Sequence, residues 1–110
     1  MSTERGRHAE SLAADHLRER GLTIVTRNYR ASGGEIDLVA MDGSTYVFVE
    51  VKSRRAGGGA FAVDAAKAQR VALAASAFLR EAGVAPETVR FDIVEVEGRA
   101  VVHHPDAWRA

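Results

Sequence analysis

The segment Tyr46–Lys52, which reads YVFVEVK, constrains the fold of this chain more than any other stretch. Its β-branched and aromatic residues predict a strand, whose successive side chains point to opposite faces of a sheet. The odd-numbered valines then share one face, which we expect to be core, and Phe48, Glu50 and Lys52 share the other. Because buried charges are costly without partners, a strand that served only the fold has little reason to carry this pair.

Apolar periodicity and turn residues predict the order α-β-β-β-α-β-β for the whole chain. Residues 3–20 have helical spacing and end before Gly21, and a second helix begins after an N-cap at Asp64 and ends at Gly83. Besides the segment above, the predicted strands are Leu22–Tyr29, Glu35–Ala40, Val89–Val96 and Arg99–His103, followed by a tail with Trp108. The second helix permits a parallel crossover. We therefore predict an α/β fold, a mixed central sheet flanked by helices, in one domain over residues 1–110.

Composition excludes several classes of protein. Hydrophobic residues make up 46% of the chain and charged residues 27%, which is typical of a globular domain and not of a disordered one. The lack of cysteine excludes disulfides and thiolate zinc sites. A polar N-terminus without any long apolar stretch predicts a cytoplasmic protein with no membrane partner. The net charge of zero argues against coating nucleic acid by electrostatics alone, but a local basic groove stays open.

Only two of the 15 basic residues are lysines, Lys52 and Lys67. The pKa of a lysine changes readily on burial, whereas arginine stays charged. In a chain that otherwise uses arginine, the positions of these two lysines favour a chemical role.

The dipeptide Asp42-Gly43 predicts a hairpin turn between the second and third strands. In that register Asp37 faces Phe48 and lies diagonal to Glu50 on one face of the sheet, with Glu35 opposite Glu50. Like charges that face each other destabilise a sheet. Because Mg²⁺ is a hard cation that takes oxygen ligands and keeps several waters, we expect Asp37 and Glu50 to bind Mg²⁺, with Mn²⁺ as a substitute.

Several motifs together resemble those of the YraN family. Asp37 followed by Glu50-Val51-Lys52 is similar to the metal-binding signature of the restriction-endonuclease-like nucleases. The family pattern is matched in order and spacing by Gly6 and Glu10, RNYR at 27–30, GEIDLVA at 34–40, FVEVKSR at 48–54, Lys67 and RFDIV at 90–94. Archaeal Holliday-junction resolvases resemble the chain more distantly, through the helical glutamate, the aspartate and the Glu-x-Lys motif.

This resemblance implies a restriction-endonuclease-like three-layer fold and a Mg²⁺-dependent nuclease that acts on nucleic acid, with DNA as the expected substrate. It implies that Asp37, Glu50 and the Val51 carbonyl bind the metal, and that Lys52 orients or deprotonates a water. It also gives Glu10 a catalytic role through water. The sequence departs from the family at Gly57–Phe61, where relatives more often have a Phe-Gly pair.

Each assignment has a structural alternative. Glu50 and Lys52 could form an exposed cross-strand salt bridge, and Glu10 could be an ordinary residue at the boundary of the apolar stripe. Glu35 could hold the turn after Gly34 or act as an outer metal ligand. Lys67 could contact phosphate or the metal site, or form a capping salt bridge.

The remaining candidate residues are basic or aromatic. Arg30, Arg54 and Arg55 are either solvated or hold phosphates. His103 and His104 are adjacent on a strand and point to opposite faces, so we expect surface residues and not a metal pair. Trp108 is expected to anchor the tail on the core.

Two other functions stay open. A non-catalytic nucleic-acid-binding or scaffold module is favoured by the zero net charge and opposed by the intact Asp37, Glu50 and Lys52. A subunit whose groove is completed in a homodimer is the third hypothesis.

Overall fold

The computed structural model describes residues 4–53, 65–86 and 88–109. Its elements are α1 (Glu4–Glu19), β1 (Thr23–Ala31), β2 (Gly34–Asp42), β3 (Thr45–Ser53), α2 (Ala65–Ala82), β4 (Val89–Glu97) and β5 (Ala100–Trp108). This order confirms the prediction. The assignments to Arg54, Arg55, the glycine triplet at 57–59 and Asp64 fall outside the described residues. No helix in the described ranges is long and apolar enough to cross a membrane.

The five strands form one sheet in the order β1-β2-β3-β4-β5. Strands β3 and β4 are parallel, and all other neighbours are antiparallel. The parallel pair needs a crossover connection, because a tight turn joins only antiparallel strands. Helix α2 lies in that connection, as predicted, so the α/β fold with a mixed sheet is confirmed.

Both faces of the sheet carry a core, which makes three layers. Helix α1 packs on one face over an apolar cluster that includes Leu17, Leu38, Val47, Val49 and Val94. The valine face of β3 is therefore core, as expected. Helix α2 packs on the other face, mainly over β1 and β2, and its cluster includes Ile36, Val39, Phe48, Val71 and Phe91. Glu50 and Lys52 thus follow Phe48 on a half-covered face, at the point where the α2 layer ends.

The predicted register of the β2–β3 hairpin is wrong by two residues. Val39, and not Asp37, pairs with Phe48, and Asp42 pairs with Thr45 around a turn at Gly43-Ser44. Gly43 has φ 62°, as the first central position of a type II′ turn requires. Asp42 stays in the strand because its carboxylate accepts a hydrogen bond from Arg90 at 2.9 Å. A shift of two residues preserves the face of every side chain.

Strand β5 is longer than predicted and includes the supposed tail. It runs to Trp108 through Pro105, which an edge strand tolerates because its outer N–H groups need no partner. Trp108 stacks on Phe91 with ring centroids 4.3 Å apart. The expected anchoring of Trp108 on the core is confirmed, but as part of the sheet.

Candidate functional site

Asp37 of β2 and Glu50 of β3 lie side by side on the face that α2 partly covers. The ladder pairs Leu38 with Val49, so the next position along it brings Asp37 opposite Glu50. The two carboxylates are therefore direct neighbours, and not diagonal ones as the sequence predicted. Oδ2 of Asp37 accepts a hydrogen bond from the backbone N–H of Val51 at 2.8 Å, which orients its carboxylate toward β3. The predicted facing of Glu35 and Glu50 is wrong, because this register brings Asp37, two residues further along β2, opposite Glu50.

The carboxylate of Glu50 is buried, with only 4% of the side chain exposed. Its Oε1 contacts the ammonium of Lys67 and lies 3.7 Å from Nζ of Lys52. Its Oε2 accepts no hydrogen bond from any residue that the structure describes. A buried carboxylate oxygen without a partner carries a large desolvation cost, so this atom is the strongest sign of a ligand that completes the site.

Lys67 reaches this carboxylate from the first turn of α2. Burial alone would lower its pKa, but the hydrogen bond to Glu50 and the charge of Asp37 outweigh that effect and raise the pKa. Lys67 therefore stays charged at neutral pH. The structure shows that Lys67 contacts Glu50, a predicted site residue on β3.

Burial raises the pKa of Asp37 to about 6, and the charges of Glu50 and Glu10 act in the same direction. The hydrogen bond from the Val51 N–H and the charge of Lys67 oppose this shift without cancelling it. A carboxyl group that resists ionisation in this way indicates a poorly solvated site with further negative charge nearby. Such strongly shifted groups are more frequent at functional sites.

Glu10 approaches the site from α1, at the edge of the sheet. It is buried, accepts a hydrogen bond from Nδ2 of Asn28 at 3.1 Å and lies 3.8 Å from the guanidinium of Arg27. Asn28 has φ 53°, a left-handed conformation that asparagine tolerates better than most residues. Glu10 is thus a buried residue of α1 that is paired with side chains of β1. Its influence on the pKa of Asp37 places it within electrostatic range of the carboxylates.

A cleft of about 160 Å³ opens above these groups. Its charged lining consists of Glu35, Asp37, Glu50, Lys67 and Arg70. Sequence reasoning missed Arg70, although its position three residues after Lys67 puts it on the same side of the helix. Arg30 lies outside the cleft, where its Nε donates to Glu35 at 2.6 Å.

The donors fit Mg²⁺ better than a metal that needs a full protein cage. No three His, Cys, Asp or Glu side chains in the described ranges are arranged to hold a metal ion. Mg²⁺ is commonly bound by one or two carboxylates and keeps several waters. Asp37, the orphaned Oε2 of Glu50 and the Val51 carbonyl meet that requirement.

A second charged cluster, which the sequence analysis missed, lies around Asp92 of β4. Asp92 is fully buried and accepts hydrogen bonds from Arg90 at 2.9 and 3.0 Å and from the backbone N–H of Asp106 at 2.9 Å. His103 lies 2.7 Å from the same carboxylate, with 3% of its side chain exposed. The prediction that His103 is a surface residue is therefore wrong. His104 lies on the other face and contacts Glu95 at 2.7 Å.

Comparison with known sequences finds one family. A model of the uncharacterised protein family UPF0102 matches residues 9–96, a range that contains Glu10, Asp37, Glu50, Lys52 and Lys67. A UPF0102 protein of Pseudomonas aeruginosa strain LESB58 is 50% identical over 100 residues, which cover 87% of this chain and 80% of the relative. A UPF0102 protein of Symbiobacterium thermophilum is 48% identical over 100 residues (88% and 85%), and one of Pseudomonas entomophila is 45% identical over 107 residues (94% and 87%).

Proposed function

The chain belongs to the uncharacterised protein family UPF0102, the YraN family of the sequence analysis, and from that premise we propose that it is a metal-dependent endonuclease that hydrolyses phosphodiester bonds in DNA. The observation that carries the proposal is the pair formed by half-buried Asp37 and buried Glu50, with two lysines converging on Glu50 and one of its oxygens left without a partner among the described residues. This arrangement is costly to the fold, and a divalent cation with a phosphate accounts for it.

Asp37, Glu50 and the Val51 carbonyl would hold Mg²⁺ or Mn²⁺. When bound, such an ion polarises the phosphate and lowers the pKa of a coordinated water. The hydrogen bond from the Val51 N–H to Asp37 locks β2 and β3 in register at this point. The protein therefore holds its two carboxylates in place before any ligand arrives, which reduces the ordering that catalysis requires.

Lys52 lies two residues beyond Glu50 on the same face, with 31% of its side chain exposed. From there its ammonium can orient the attacking water and balance the charge that develops on the phosphate, whereas its neutral amine form can take up a proton from that water. Arginine would not replace it as a base, because a guanidinium does not release a proton at accessible pH.

Lys67 has a different task because it contacts Glu50 directly and its pKa is raised. It holds the Glu50 carboxylate in position and offers a permanent positive charge to the phosphate. The two lysines are 31% and 40% exposed, whereas Glu50 is 4% exposed. An approaching phosphate therefore meets the cations first, and the carboxylates lie beneath them.

The direct test is a cleavage screen of the purified protein with Mg²⁺ or Mn²⁺ over single-stranded, duplex and branched DNA, with the matching RNAs. We expect metal-dependent cleavage of at least one DNA substrate, lost in EDTA and in Glu50→Gln. Cleavage that survives in Glu50→Gln would point to a contaminating nuclease and remove support for this site. A preference for branched DNA would extend the proposal to structure-specific cleavage.

A non-catalytic nucleic-acid-binding or scaffold module is the second candidate. It is favoured by the zero net charge of the chain and by Lys67, which already neutralises part of the Glu50 charge without a metal. This candidate predicts DNA binding without cleavage under every metal condition. It also predicts that Glu50→Gln leaves the affinity unchanged.

A further inference from the structure

A second groove opens beside the cleft, at the turn between β1 and β2. It has a volume of about 440 Å³ and is lined by Arg30, Ala31, Gly33, Gly34, Glu35 and Arg70. Glu35 and Arg70 line both the groove and the cleft. The two depressions therefore lie side by side, and the groove is on the side of the β1–β2 turn.

The position of Arg70 is set by a close contact between α2 and the start of β2. A Cβ atom at Gly34 would lie 2.0 Å from the backbone oxygen of Arg70, which no side chain allows. Only glycine lets the helix approach the strand this closely. The contact involves the backbone of Arg70, so its side chain stays exposed at the junction of the two depressions.

The net charge of the lining changes sign between the cleft and the groove. In the cleft lining carboxylates outnumber cations, with Glu35, Asp37 and Glu50 against Lys67 and Arg70. In the groove lining cations outnumber carboxylates, with Arg30 and Arg70 against Glu35. Arg30 is paired with Glu35 at 2.6 Å. In the described ranges no ion pair or hydrogen bond engages the Arg70 guanidinium, so its charge is available to an anion. Its proximity to Lys67 also acts on the pKa of that lysine.

The lining of the groove fits a sugar-phosphate backbone better than it fits bases. Gly33 presents no side chain to the groove, and nothing lies within 4 Å of the place where its Cβ would be, which lets another chain approach closely. The residues that the structure describes along this groove include no aromatic ring on which a base could stack. Arginines beside such an open surface contact phosphates, and such contacts position a strand without reading its sequence.

We propose that the Arg30–Arg70 groove binds the backbone of a single nucleic-acid strand next to the bond held in the cleft. The proposal rests on the proposed function, since it takes the cleft as the place of the scissile phosphate. A single strand is favoured over a duplex because the groove offers two cations and the chain has no net charge. Duplex binding without base contacts instead depends on neutralising many phosphates. Glu35 competes with the incoming phosphate for Arg30 and so limits the affinity.

The test measures binding and not cleavage. Fluorescence anisotropy of a labelled DNA strand in Ca²⁺ is recorded at several salt concentrations for wild type, Arg70→Gln, Arg70→Lys and Glu35→Gln. Each lost phosphate contact to a single strand lowers the slope of log K against log salt by about 0.7. We expect that loss in Arg70→Gln, a largely retained slope in Arg70→Lys and tighter binding in Glu35→Gln. Arg99→Gln is the matched control, because Arg99 is also exposed but lies in the β4–β5 turn.

Three outcomes would contradict the proposal that the Arg30–Arg70 groove binds a strand. These are an Arg70→Gln slope equal to that of Arg99→Gln, the same loss on a duplex of the same sequence, or no strand binding by wild type. Failure of the nuclease proposal is distinguishable, because the binding assay does not need turnover. If wild type binds a strand through Arg70 but cleaves nothing, the groove is supported and the nuclease is not. If wild type cleaves and Arg70→Gln binds like wild type, the nuclease proposal is supported and the groove proposal is not.

Discussion

Asp37, which is half-buried, and Asp92, which is fully buried, are both carboxylates of the sheet, but they lie on opposite faces and in opposite environments. Asp92 accepts hydrogen bonds from Arg90 and from the Asp106 backbone and lies against His103. Burial would raise its pKa, yet these partners hold the pKa below the ordinary value. Asp37 accepts one backbone hydrogen bond, and burial together with repulsion from neighbouring carboxylates raises its pKa to about 6.

The difference indicates that the Asp92 carboxylate stabilises the fold, whereas the Asp37 carboxylate belongs to a site that a ligand would complete. The partners of Asp92 come from β4 and β5, and Arg90 continues the network to Asp42 of β2. These bonds tie the edge of the sheet to its centre. Around Asp37 the cations come from lysines that are partly exposed, and Oε2 of Glu50 has no partner in the described ranges. Burial and charge therefore do not identify a functional carboxylate unless its partners are also examined.

The largest expected effect is on the cleavage rate, and only substitutions in the cleft around Asp37 and Glu50 should produce it. Lys52→Ala should lower the single-turnover cleavage rate by about 10²- to 10⁴-fold, because a positioned acid–base group contributes that much. Lys52→Arg should not restore it. Asp92→Asn, assayed at a temperature where it is folded, should cleave close to the wild-type rate. If Lys52→Ala and Asp92→Asn lowered the cleavage rate equally, the proposed difference between the two regions would be wrong.

Stability should show the opposite pattern. Asp92→Asn should lower the free energy of unfolding by about 3 kcal/mol, because it leaves Arg90 and His103 without their charged partner. Asp37→Asn should leave the metal-free protein as stable as wild type or more so, since it removes repulsion with Glu50. Urea unfolding at pH 7 in EDTA measures both. The comparison fails if Asp37→Asn is the more destabilising of the two.

Added Mn²⁺ should raise the stability of the wild type by binding to the carboxylates of Asp37 and Glu50, and not to Asp92. Binding to the native state contributes about 2.7 kcal/mol when the metal is in hundredfold excess over its Kd. Thermal unfolding with and without Mn²⁺ should show this gain in wild type and in Arg99→Gln. It should be absent in Asp37→Asn and in Glu50→Gln. A gain of wild-type size in both carboxylate variants would place the metal elsewhere.

The pH dependence of metal-free stability should have opposite signs in the two regions. The pKa of Asp37 is about 6 in the fold, above its ordinary value of 3.8. Its contribution to stability is therefore present below about pH 4 and is lost as the pH rises through 6, an effect of about 3 kcal/mol. The pKa of Asp92 is lowered, so its contribution is present above about pH 4 and is lost as the pH falls further.

Unfolding in EDTA as a function of pH measures both effects. Asp37→Asn should remove the decline between pH 4 and 6, and Asp92→Asn should remove the loss on the acid side. A wild-type curve that rises across pH 4 to 6 in the same way as that of Asp37→Asn would show that Asp37 ionises normally.

The order of elements, the core face of β3 and the shared face of Asp37, Glu50 and Lys52 could all be predicted from the sequence. These features depend on local periodicity and on the alternation of a strand, which neighbours along the chain encode directly. For the same reason the two-residue error in the hairpin register did not move any predicted site residue to the wrong face.

Only the tertiary structure decided which groups meet. Lys67 contacts Glu50 across 17 positions of sequence, and His103 reaches Asp92 from the neighbouring strand. The close contact of Gly34 with the Arg70 backbone, which places Arg70 between the cleft and the groove, has no local signal. Such contacts depend on the packing of α2 and on strand pairing, where long-range geometry and not local propensity selects the partner of each buried charge.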